Sequence, residues 1–156
     1  MRSHLPVDHP LVPVYRVLGA LTGLFLIVFG AVGWSKSSGD KFTDSTGVRV
    51  FGMHANGLLS VLSLAAGVLL VLGALRGRNL GAGVNFFFGC LYTLAGLGGL
   101  AIERTSLNVF AYTVGDLVFS MVVGFVLLAA GLYGQVSGKD SRRGPAAAEA
   151  GYPAGG

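Results

Sequence analysis

Residues 56–102 read NGLLSVLSLAAGVLLVLGALRGRNLGAGVNFFFGCLYTLAGLGGLAI, two apolar runs joined by Arg76-Gly77-Arg78-Asn79. Each run carries no acidic or basic side chain for about 20 residues, which at about 1.5 Å per helical residue crosses about 30 Å of hydrocarbon. The four-residue link is so short that the two helices must be antiparallel neighbours. Working outward, two further stretches have the same character, so the uncharged runs are 17–34, 50–75, 79–102 and 117–136. His54 lies inside the second, which places the start of that helix near Asn56. The expected fold is an all-α integral membrane four-helix bundle of two antiparallel transmembrane hairpins. Its spans lie near 15–34, 56–75, 80–102 and 114–134, within a domain over residues 15–136.

The composition agrees. Of 156 residues, 53% are hydrophobic and 12% charged, about half the charged fraction of an ordinary soluble domain. Transmembrane strands would need alternating apolar and polar residues in segments of about ten, whereas these runs are continuous and rich in Leu, Ala, Gly and Val. The 26 glycines do not argue against helix, because in lipid the backbone has no water to turn to and small residues mark close packing. The net charge of +4 does not point to nucleic acid, since the basic residues flank apolar runs and form no patch interleaved with aromatics. A lone cysteine, Cys90, inside an apolar run reads as a small hydrophobe and excludes an internal disulfide.

The first run also has some features of a secretory signal, following a basic residue and ending in small ones. Against this, Pro6, Asp8, Pro10 and Pro13 precede it, and Trp34 and Lys36 follow where an interfacial belt belongs. Residues 1–14 are therefore expected to form a leader. Counting Lys and Arg in alternate loops puts Arg2, Arg16, Arg76, Arg78, Lys139, Arg142 and Arg143 on one side, and Lys36, Lys41, Arg49 and Arg104 on the other. Cytoplasmic loops carry the excess, so both termini are expected inside a plasma (inner) membrane. The loop over residues 35–55 is long and polar, with Val48, Val50 and Phe51 suited to the interface or to a short strand. Residues 137–156 lack hydrophobic patterning and read as a disordered tail.

Gly19, Gly23 and Gly30 in the first span, Gly89 and Gly96 with Thr93 in the third, and Gly124 in the fourth are notches through which helix backbones approach closely. They serve packing within the bundle or a seam for a homo-oligomer or larger complex. A faint repeat relates Gly23 and Gly30 to Gly89 and Gly96, and Asn56 and Ser60 to Asp116 and Ser120.

Asp116 is the one carboxylate placed to fall within a span, and an intramembrane acid is a functional candidate because its charge is costly to desolvate. Ser120 follows one turn later, and Asn56, Ser60 and His54 stand near the same boundary, together a candidate polar site. A local reading competes: Thr113-Val114-Gly115-Asp116 fits a capping box, with the carboxylate at the third helical position. Asn56 likewise suits an N-cap. Phosphate-loop, nucleophile-elbow and paired-histidine helical motifs are missing from the sequence, so it anchors no enzyme chemistry. His4, His9 and His54 are too scattered to suggest haem or zinc, and neither cofactor nor metal is expected. Phe86, Phe87 and Phe88 suit packing and lipid contact.

His9-Pro10, Tyr15-Arg16 leading into GALTGLFLIVFGAVG, NGLLSVLSLAAG from Asn56 and TSLNVFAYTVGDLVFSMVVG from Thr105 together resemble an actinobacterial family of four-span membrane proteins of unknown function. The likeness extends over roughly residues 9–136 and implies a four-helix fold in a plasma membrane, with no activity attached. In many members of the family this chain resembles, a histidine follows the Asn or Asp that opens a span. Here Ser60 and Ser120 stand at those places, which argues against a metal or proton role by analogy. The expected function is a non-enzymatic accessory or structural protein packing with itself or a larger complex in the lipid bilayer. The rival is a small transport or ion-conducting protein lined by Asp116, Ser120, Asn56 and Ser60.

Overall fold

A computed structural model describes residues 9–136, the Arg78 side chain excepted. The expected tail over 137–156 and the first part of the leader, with His4, lie outside the described residues. Four helices follow in order: α1 (Val12–Ser37), α2 (Gly57–Arg76), α3 (Arg78–Ile102) and α4 (Val114–Tyr133). Between α1 and α2 lie two short strands, β1 (Val48–Val50) and β2 (Met53–Ala55). All four helices are long and apolar enough to cross a membrane, and they pack as one bundle.

Helix α1 extends beyond the expected 15–34 at both ends. Pro13 falls in its first turn, where a missing N–H leaves no helical bond unmade and φ is already set. At the far end Lys36 sits in the last turn, where a cation meets the carbonyl end of the helix.

The bundle is apolar outside and small or polar inside. Val14, Val17, Leu21, Leu24 and Val28 recur every three or four residues on α1 and are about half exposed, while Gly19, Gly23, Gly30 and Gly33 are buried. The same inversion holds on α2 and α4, where Ser60, Ser63, Gly67, Ser120, Gly124 and Gly131 are buried. Such a surface suits hydrocarbon, in which association rests on close packing of small residues and not on hydrophobic contrast. A Cβ on Gly67 would lie 2.5 Å from the Gly23 carbonyl oxygen, and one on Gly89 2.5 Å from the Leu128 nitrogen, so backbones touch at both places.

Each of the six glycine notches meets a helix of the same chain. Gly23 and Gly30 seat α2, Gly89 and Gly96 seat α4, Gly124 meets Thr93, and Gly19 makes room for the Asn85 amide. The extensive pairings are therefore α1 with α2 and α3 with α4. Helices α2 and α3, joined by the tight link at Gly77 (φ +62°), share a smaller interface.

The strands form an antiparallel hairpin in the register Val48 with Ala55, Arg49 with His54 and Val50 with Met53. Its two-residue turn, Phe51-Gly52, has φ of +51° and +85°, as the twist of a tight hairpin requires. A phenylalanine strains this conformation; its ring lies 6.2 Å from that of Phe25. Phe25 is twelve residues before the end of α1, so the hairpin turns back along the bundle by about 18 Å of helix. It wedges against α1 and reaches α4, burying Val50 and Ala55 on Phe29.

Candidate functional site

The carboxylate of Asp116 is where hairpin and bundle join. Thr113 is the extended N-cap of α4, and Asp116 at the third helical position turns back to it. Its Oδ2 accepts from the Thr113 backbone N–H at 2.8 Å and from the Thr113 hydroxyl at 2.6 Å. Its Oδ1 accepts from the His54 backbone N–H on β2 at 3.0 Å. Asp116 is 4% exposed, and these three donors replace the water it has lost. The capping geometry and a buried carboxylate thus coexist in one side chain.

The His54 imidazole adds an unfinished contact. Its Nδ1 lies 3.9 Å from Asp116 Oδ2 and is buried without a hydrogen-bond partner among the described residues. Beside it is a cavity of about 30 Å³, bordered by His54, Asp116, Ser120, Ser63, Tyr92 and Tyr112. That is room for about one water, and the polar groups share the wall with Leu26, Phe29, Met53, Leu59 and Phe119. Burial raises the Tyr112 hydroxyl above the ordinary tyrosine value, and the nearby Asp116 charge adds to the effect.

Of the five polar residues singled out in the sequence, the fold brings Asp116, Ser120 and His54 together and places the other two elsewhere. Asn56 caps α2 by accepting from the Leu59 N–H at 2.9 Å, while its Nδ2 donates to the carbonyls of Asp44 (3.0 Å) and Val109 (2.7 Å). It ties the two loops at this end of the bundle. Ser60 is fully buried against Gly30 and Gly33 of α1, its hydroxyl without a partner among the described residues. Ser63, Tyr92 and Tyr112 were missed; Ser63 follows Ser60 by three residues, the helical spacing that signals a shared face.

A second polar place, at the opposite end, was not anticipated. Arg16 donates through Nε to the Ala74 carbonyl at 2.7 Å and through Nη2 to that of Leu75 at 3.3 Å, capping the end of α2. Asn85 of α3 is 5% exposed and makes no side-chain hydrogen bond among the described residues. The signal was an amide in the middle of an apolar run. Leu26, Ala66, Leu70, Phe88 and Leu127 form a dry layer between these two polar places.

Among the described residues, no three His, Cys, Asp or Glu side chains gather closely enough to hold a metal ion. No curated protein and no solved structure matches the chain. Residues 16–141 do match one family, and the bundle just described lies almost wholly within that stretch. The chain belongs to the family described as "Domain of unknown function (DUF4383)".

Proposed function

We infer that this is a non-enzymatic structural or accessory protein of the plasma membrane, with both termini cytoplasmic, which packs with further copies or with a larger membrane complex. The observation that carries the reading is the state of Asp116. Its carboxylate, the costly group in the span, is committed to three donors of its own chain, which together fasten the hairpin to α4. The Leu26, Leu70 and Leu127 layer below it leaves no polar route onward. The surface open to a partner includes α3 at Gly83 and Gly98, fifteen residues apart on one face, where an added Cβ would meet nothing.

Purification of the full chain from native membranes in mild detergent, with mass spectrometry, tests this. A stoichiometric partner or a defined oligomer is expected; a solitary monomer would count against it. The transport reading is favoured by one feature, the unpartnered His54 Nδ1 beside the water-sized cavity. Proton or cation flux in proteoliposomes that is lost in a folded Asp116→Asn variant would establish transport and overturn the accessory role.

A further inference from the structure

The place at the Arg16 end also has polar groups left unspent, and it has more room beside them than the Asp116 cavity. A cleft of about 210 Å³ lies there between α1, α3 and α4, bordered by Arg16, Ala82, Asn85, Ala130 and Gly134. Arg16 engages the α2 carbonyls through Nε and Nη2, and its Nη1 has no hydrogen-bond partner among the described residues. Asn85, 95% buried, has none for its whole amide. The cleft is larger than the roughly 30 Å³ share of one water and smaller than the about 300 Å³ at which pockets begin to enclose a whole small molecule. It therefore suits one end of a longer ligand.

The depth of the donors narrows the ligand. Arg16 lies four residues inside the start of α1 and Asn85 seven residues inside the start of α3, about 6 Å and 10 Å of helix. The rest of the wall is small or apolar, from Val12, Ala82, Ala130 and Val136, and the exposed Val17, Leu21 and Phe87 continue along α1 and α3 into the hydrocarbon. Cation outermost, neutral amide next and hydrocarbon last is the order that matches phosphate, glycerol ester and acyl chain. Arg76, in the last turn of α2, stands at the same end and adds a field that attracts anionic headgroups.

We propose that the cleft binds an anionic phospholipid from the bilayer, Arg16 meeting the phosphate and the Asn85 amide donating to a glycerol ester oxygen. The site is independent of the accessory role. In mild detergent, thermal unfolding of the full chain is followed while adding phosphatidylglycerol, phosphatidylcholine or inorganic phosphate. Phosphatidylglycerol is expected to raise the midpoint saturably, with half-saturation about tenfold below that of phosphatidylcholine. Asn85→Leu, which removes the amide, and Ala82→Leu, which fills the cleft, should each weaken this about tenfold. Equal responses to the two lipids, wild-type saturation in both variants, or a shift reproduced by inorganic phosphate would overturn the proposal. Should neither variant fold, native mass spectrometry of the wild-type chain decides: from an equimolar mixture it should retain phosphatidylglycerol, and equal retention refutes the site.

Discussion

Replacing Asp116 by Asn changes one atom of an oxygen pair that serves two masters. Thr113 presents two donors to Oδ2 and His54 presents one to Oδ1. An asparagine has one acceptor oxygen, which can take both Thr113 donors, so its NH2 is left facing the His54 N–H. That buried N–H loses its partner at a cost of about 1–3 kcal/mol. The loss falls on the hairpin, because α4 keeps its cap. Hydrogen exchange in detergent, read at single amides, is the assay: at 1.4 kcal/mol per tenfold, His54 should exchange about 5- to 140-fold faster. The Leu117 amide, bonded to the Thr113 carbonyl, should keep its protection. Wild-type exchange at His54, or acceleration at Leu117 with His54 protected, would refute the assignment of the two oxygens. Asp116→Ala strips all three donors and should cost more than Asn.

Asn56→Asp retains the acceptor for Leu59 but turns a negative oxygen toward the Asp44 and Val109 carbonyls. It should destabilise by about 2–4 kcal/mol in denaturant unfolding despite the intact cap. Gly67→Ala forces the α1 and α2 backbones apart and should cost about 1–3 kcal/mol, whereas Gly83→Ala, with open space around it, should stay within about 0.5 kcal/mol in the same assay. Tyr112 ionises above the ordinary value of 10.0 because it is buried and beside Asp116. A folded value raised above the unfolded one gives stability that is full below about pH 10 and is lost as pH rises toward the folded value. Tyr112→Phe should therefore flatten the alkaline decline of stability; an unchanged decline would contradict this.

The helices were legible because each is a continuous uncharged run of the right length, and the Arg76-Gly77-Arg78 link fixed one antiparallel neighbour pair. The dominant pairings were less so. A glycine notch announces that something comes close, but only the fold decides that Gly23 meets Gly67 across a long loop while α2 and α3, adjacent in sequence, share less. At the Asp116 cavity the sequence carried the carboxylate, Ser120 and His54, yet it treated His54 as a side chain, whereas its backbone N–H makes the contact. That contact depends on a hairpin folding back along α1, which a turn as atypical as Phe51-Gly52 does not advertise. Asn85 carried the plainer signal, an amide amid Val84 and Phe86, whose weight appears once Gly19 is seen opposite.

How the two polar places are divided bears on what the molecule can do. A carrier or channel within one chain needs polar groups that hand a solute onward through the hydrocarbon midplane. Here the bundle between the two polar places holds Leu26, Leu70 and Leu127, each 2% exposed or less, against Ala66 and Phe88. Within each pair, α1 with α2 and α3 with α4, the backbones touch at Gly23 with Gly67 and at Gly89 with Leu128, while the apolar layer lies between the pairs, whose mutual interfaces are smaller. Contacts that close have little room to slide without clash. The hairpin is the freer element. It is held by the Asp116 bond to His54, by Lys36 Nζ donating to the Arg49 carbonyl at 3.2 Å, and by burial of Val50 and Ala55. Motion at the hairpin would alter the surface shown to a neighbour without separating the helices of either pair. Such motion, on helix pairs that interlock, is what the proposed accessory role would use.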